Sequence, residues 1–164
     1  INRNSLNGKF IEMCKQQNKF DALKKVILDD SDEAHTQYKC YEMNGQRLYP
    51  LGRIKIFEDY MLLSFTHFNE EYEAHLTRAQ YEQCLRVMWK EISRTYANKP
   101  IALPLLGSGI TRFDDWDEKS NYDLLKCMLC TLKTSRVHIN TPITIILTPK
   151  DIKKINLYEL KGVI

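Results

Sequence analysis

Ile101-Ala102-Leu103-Pro104-Leu105-Leu106-Gly107-Ser108-Gly109-Ile110-Thr111-Arg112-Phe113 is the stretch on which the reading of this chain turns. A short apolar run, 101–106 with one proline, feeds directly into Gly107-Ser108-Gly109, and a stretch rich in Leu, Met and Cys follows within about fifteen residues. Strand, glycine turn and helix in this order can make an anion site. Glycines let the backbone approach a phosphate with no Cβ in the way, so that successive N–H groups point at its oxygens. The N-terminus of a following helix would add partial positive charge, and Arg112 a full one. The stretch therefore suggests a pocket for a phosphorylated, nucleotide-like ligand. It is not a P-loop, because no Lys-Ser/Thr follows at the required spacing. Nor is it the dinucleotide fingerprint, which needs a third glycine. Gly-Ser-Gly after a strand also occurs as a plain tight turn, and pattern alone leaves both readings open.

Composition fits an ordinary globular domain. The chain has 164 residues, 43% hydrophobic and 27% charged, with a formal net charge of +3. That length supports one domain with a real core. The charge is too small to argue for a nucleic-acid surface, and its residues are mixed in sign along the chain. No apolar stretch reaches the ~18–20 residues of a membrane helix, and Ile1-Asn2-Arg3-Asn4 does not open a signal peptide. Five cysteines at irregular spacing make no secreted framework. Cys127-x-x-Cys130 lies in an apolar helical stretch with no second pair, which favours buried reduced thiols over a metal site. No metal ligand set or cofactor is expected.

Periodicity supplies the elements. Helices are expected over Ser5–Gln16 and Lys19–Leu28, and strands over Tyr38–Tyr41, Arg53–Phe57 and Tyr60–Thr66, with Glu58-Asp59 as a two-residue hairpin turn. Thr77-Arg78-Ala79-Gln80 fits a capping box, opening a helix whose Tyr81, Cys84, Leu85, Met88, Trp89, Ile92 and Tyr96 recur at 3–4 residue spacing. Strand 101–106, helix 118–133 and strand 143–147 complete the list. Late alternation of strand and helix implies parallel pairing. The acidic run Asp29–Glu33 reads as a solvated turn, and Asp114–Glu118 as carboxylates suited to a helix N-terminus. Asp114 or Asp115 could instead meet an amine on a ligand.

The phrase at 101–113 resembles the diphosphate-binding loop of macro domains, the ADP-ribose-binding α/β modules, whose late strand ends P-x-x-G-[ST]-G-[IV] with an aromatic shortly after. The resemblance implies a three-layer α/β/α fold with a central mixed sheet. It places Gly107, Ser108, Gly109, Ile110 and Thr111 on the diphosphate, Arg112 nearby, and Phe113 over the distal ribose. Asn2, Ser5 and Gly8 (N-x-x-S-x-x-G) resemble the turn that contacts that ribose, and they fit a plain helix N-cap equally well. Thr148-Pro149-Lys150-Asp151 resembles the start of the closing helix.

Together with R-L-Y-P-L-G-R at 47–53, Y-M-L-L-S-F-T-H-F-N at 60–69 and the terminal I-N-L-Y-E-L, the chain is similar to the macro domain of Thoeris antiphage effectors over nearly all its length. That resemblance implies one macro-like domain over 1–164, with the first strand and a transmembrane region upstream. It implies a location at the cytoplasmic face of a membrane. The function it implies is a sensor of an NAD-derived nucleotide, an ADP-ribose derivative such as histidine-ADP-ribose, made by a partner TIR-domain enzyme. Homo-oligomerisation is left open, and no nucleic-acid partner is expected. Macro-type hydrolysis of ADP-ribosyl linkages is the alternative. It is disfavoured because Leu6-Asn7-Gly8-Lys9-Phe10 has one glycine where hydrolases carry a run of them, and no catalytic residue stands out. A non-nucleotide interaction domain is the third reading.

Overall fold

Residues 3–163 are described in a computed structural model. They divide into two compact units, one holding the residues up to Pro50 together with Ile54–Leu63, the other Leu51–Arg53 and the residues from Ser64 onward.

The first unit packs two helices with two hairpins. Helix α1 spans Leu6–Gln16, and the Ser5 side chain caps it by accepting from the Gly8 N–H. Helix α2 spans Phe20–Leu28. Cys14, Leu23 and Phe57 form a buried cluster against which Phe10, Phe20, Val26 and Leu62 pack. Strands β1 (Tyr41–Met43) and β2 (Gln46–Leu48) form a hairpin. The strand expected at Tyr38–Tyr41 thus sits further on, because Asn44 and Gly45 both adopt positive φ, as a tight two-residue hairpin turn requires. Strands β3 (Ile54–Phe57) and β4 (Tyr60–Leu63) pair antiparallel with Phe57 opposite Tyr60. Their turn is the expected Glu58-Asp59, but β4 ends before Thr66.

The second unit holds the glycine loop. Its strands are β5 (His67–Phe68), β6 (Ala74–Leu76), β7 (Ile101–Pro104), β8 (Arg112–Phe113) and β9 (Ile143–Ile146), and its helices α3 (Arg78–Thr95), α4 (Asn121–Thr134) and α5 (Pro149–Ile152). Thr77 and Gln80 form the expected capping box at the start of α3. Its apolar stripe is core: Tyr81, Cys84, Leu85, Met88, Trp89 and Ile92 are all buried. Each fully buried large side chain of this kind stabilises by about 1.5–3 kcal/mol. Helix α4 packs on α3, and the Trp89 indole N–H donates to Thr131 Oγ1 at 3.0 Å in the buried seam.

Strands β7 and β9 pair in parallel, as the alternation of strand and helix predicts, with Ile101 opposite Ile143. Strand β7 stops at Pro104, two residues earlier than expected. Leu105 and Leu106 belong instead to the turn that sets up the glycine loop. Strands β5, β6 and β8 make a mixed sheet, β5 antiparallel and β8 parallel to β6. Helices with a mixed sheet make the fold α/β.

Leu51–Arg53 enters this second unit against α3. Gly52 has φ +89°, and a Cβ there would lie 2.5 Å from both the Cys84 carbonyl oxygen and Val87 Cβ, so only glycine fits. The next residue, Arg53, is wholly buried and pairs with Glu91 at 2.7 Å. Glu91 in turn receives two contacts from Arg94, at 3.1 and 3.0 Å.

Candidate functional site

The glycine loop is shaped from beneath. Gly107 has φ +84°, the left-handed region, and a Cβ there would meet Phe113 Cζ at 3.2 Å and Leu124 Cδ2 at 3.3 Å. The preceding carbonyls are both held. Leu105 O accepts from the Ser108 hydroxyl at 2.8 Å, and Leu106 O accepts from the Tyr81 hydroxyl at 2.9 Å. Burial pushes the Tyr81 phenol pKa well up, so this hydroxyl remains a donor throughout the accessible pH range.

Beyond Gly107 the loop opens to solvent. Ser108, Gly109 and Ile110 are exposed and Thr111 is half-buried. Among the described residues, the N–H groups of Gly109, Ile110 and Thr111 donate to no protein acceptor. Three consecutive unengaged amides on a fixed turn are a donor set for an anion. Nothing lies within 4 Å of a Cβ built on Gly109. Its glycine therefore leaves space above the loop, whereas Gly107 supplies the conformation.

Two expected contributors lie beneath or beyond the exposed amides. Phe113, expected over a ribose, is 8% exposed. Its pairing opposite Leu76 turns it inward, where its ring meets Tyr81 and Trp116 edge-on, each at 5.5 Å centroid distance. It is part of the floor of the loop. The following helix was expected to lend its N-terminus to the anion. Helix α4 begins only at Asn121, and Ser120 and Asp123 close a capping box on its first turn, so a carboxylate of the chain already occupies that terminus.

Arg112 keeps its expected place at the end of the loop, with its side chain 63% exposed and paired with Glu73 at 2.5 Å. The carboxylates after the loop are engaged within the protein. Asp114 Oδ1 lies 2.6 Å from His75 Nδ1, and Asp115 accepts from the Arg78 N–H at the start of α3. Asp115 thus serves a helix N-terminus as expected, though that of α3. The Asp114 hydrogen bond raises the His75 pKa above its ordinary value, with Glu73 adding to the effect and burial opposing it. This His–Asp pair is 39 residues apart in sequence and no spacing rule would have found it.

Ser5 belongs to the first unit, where it caps α1, and Asn2 lies outside the described residues. Leu6–Phe10 forms the first turns of α1. All five cysteines are free. Burial pushes the Cys84 thiol up to about 12 and Cys127 to about 11, values of unreactive thiols. Asp30, Glu33 and Cys40 bring ligand atoms within 4.8 Å of one another, but Arg47 pairs with Asp30 and the Cys40 N–H donates to Glu33. Among the described residues no helix is long and apolar enough to cross a membrane.

A family profile described as "Thoeris protein ThsA, Macro domain" matches residues 1–148, a span that includes the whole glycine loop. The chain belongs to the ThsA macro-domain family. It is also 36% identical over 170 residues to the Thoeris protein ThsA of Bacillus amyloliquefaciens (strain Y2), an alignment covering 98% of this chain and 55% of that protein. The chain therefore spans about half the length of that relative. The match identifies the chain as the macro-domain part of a ThsA-type protein.

Proposed function

We propose that this macro domain is the signal-binding part of a Thoeris effector. It captures an ADP-ribose derivative, histidine-ADP-ribose being the leading candidate, that a partner TIR-domain enzyme makes from NAD. The observation that carries the reading is the run of unengaged N–H groups at Gly109, Ile110 and Thr111 on a loop held from beneath. In this reading they bind the diphosphate, Arg112 adds charge, and Phe113 keeps the floor of the loop rigid. Preorganised donors of this kind cost little reorganisation when the ligand arrives.

Binding rather than turnover is the activity we assign. Leu6–Phe10, the stretch that in the hydrolases would be a mobile glycine-rich loop, is helical here, and Gly8 is buried within α1. His75 is no free general base, since Asn69 Nδ2 lies 3.2 Å from Nε2, the nitrogen that the Asp114 contact at Nδ1 leaves available to take a proton. Ligand binding would drive a membrane-associated effector domain elsewhere in the polypeptide. It can do so only as far as the ligand binds the active state more tightly than the resting one.

Isothermal titration with ADP-ribose, NAD and histidine-ADP-ribose, each mixture chromatographed afterwards, tests this. The proposal expects micromolar or tighter binding of at least one conjugate, recovered intact. Conversion of the ligand would establish a hydrolase, and no heat from any of the three would leave the loop a structural turn.

A further inference from the structure

Glu73 closes the turn of the β5–β6 hairpin opposite Asn69, immediately before β6, and its carboxylate reaches across to the end of the glycine loop. One oxygen lies 2.5 Å from Arg112 Nη2, while the other is 3.4 Å from Asn69 Nδ2 and 3.6 Å from His75 Nε2. The Glu73 backbone N–H is also tied to Asn69 Oδ1 at 2.8 Å. Glu73 is thus fastened to its own hairpin from several sides, with a side chain 29% exposed against 63% for Arg112. Of the two partners, Arg112 is the one free to leave. It directly follows Thr111, the last of the three unengaged amides.

We propose that Glu73 is an internal counter-anion that competes with the ligand's phosphate for Arg112, and so sets the ligand concentration at which the sensor responds. The inference rests on the reading of residues 107–113 as a diphosphate loop. Without ligand, Glu73 satisfies Arg112 and holds it beside β6. A diphosphate on the loop amides offers Arg112 a geometry that suits its guanidinium fork, with more negative charge than one carboxylate carries. The exchange is inexpensive because an exposed ion pair contributes little in water. The displaced carboxylate keeps Asn69 and His75 beside it, so the hairpin does not have to open. An anion that cannot also engage the amides gains too little to displace Glu73.

The test is titration of wild type, Glu73→Gln, Arg112→Gln and the double variant with ADP-ribose. Glu73→Gln should bind about two- to fivefold more tightly, the strength of an exposed ion pair expressed as affinity. Arg112→Gln should bind more weakly, and Glu73→Gln should bring no gain in the Arg112→Gln background. Equal or weaker binding by Glu73→Gln, or a gain that persists without Arg112, would overturn the inference while leaving the loop as the binding site. No binding by any variant would overturn the site reading and this inference together. The Arg112 guanidinium nitrogen signals in ligand-free protein give a second measurement. They should show hindered rotation in wild type and free rotation in Glu73→Gln, and free rotation in wild type would equally overturn the proposal.

Discussion

The Tyr81 hydroxyl donates 2.9 Å to the carbonyl of Leu106, the residue that precedes Gly107, and so ties the first turn of α3 to the base of the glycine loop. It also reaches Leu124 O on α4 at 3.4 Å. One phenol therefore braces the loop against both helices that flank it. Tyr81→Phe removes this brace and leaves the half-buried Leu106 carbonyl short of a donor. The expected cost is about 1–3 kcal/mol in urea unfolding, with weaker ADP-ribose binding as the loop loses its fixed shape.

Gly107 and Gly109 should fail differently. Gly107→Ala forces a side chain into a left-handed conformation and against Phe113 and Leu124, which should destabilise the domain by about 1–3 kcal/mol. Gly109→Val meets nothing in the protein. It should leave the melting temperature nearly unchanged while abolishing ligand binding, because the new side chain fills the space above the amides. Thermal melts run beside titrations separate the two. Preserved binding in Gly109→Val would count against this site.

The Arg53–Glu91 pair is sealed from solvent, with side-chain exposures of 0% and 2%. Removing one partner strands the other charge in the interior. Glu91→Gln should therefore cost about 3–5 kcal/mol, far more than loss of an exposed pair. Replacing both residues by apolar ones of similar volume should cost less than the single change. Chemical denaturation of the three proteins gives the comparison.

His75 gives the second unit a pH dependence. Its folded pKa is raised above the ordinary 6.5, first by the hydrogen bond it donates to Asp114 and then by Glu73. A raised histidine pKa contributes stability that is fully present below the unfolded value near 6.5 and is lost as pH rises through the folded value. The melting-temperature advantage of wild type over Asp114→Asn should thus be greatest below pH 6.5 and shrink toward alkaline pH. An NMR titration of the His75 ring should show the pKa falling in Asp114→Asn. An advantage that grows with pH would contradict the assignment.

The larger elements could be read from the sequence because their signals are local. The Thr77–Gln80 capping box, the stripe along α3, the turn at Glu58-Asp59 and the apolar runs of β7 and β9 each declare themselves within a few residues. Strands β5, β6 and β8 do not, since two or three residues cannot display a period. The β1–β2 hairpin left a signal, Asn44-Gly45, which the run at Tyr38–Tyr41 obscured. The glycine loop was legible as a phrase, but the distinct roles of its two glycines were not. Phe113 was expected at the ligand because the family pattern places an aromatic there, whereas β6–β8 pairing turns its ring into the core. Glu73 and His75 act through residues nearly forty positions away, a partnership only tertiary structure creates.

The N–H groups of Gly109, Ile110 and Thr111 are the proposed seat of the ligand's diphosphate. Titration of nitrogen-15-labelled protein with ADP-ribose, followed amide by amide, tests it most directly. Saturable downfield shifts are expected at these three amides with the same dissociation constant that calorimetry gives, and much smaller shifts along α1 and α2. Saturable binding that leaves residues 107–113 unmoved would contradict it.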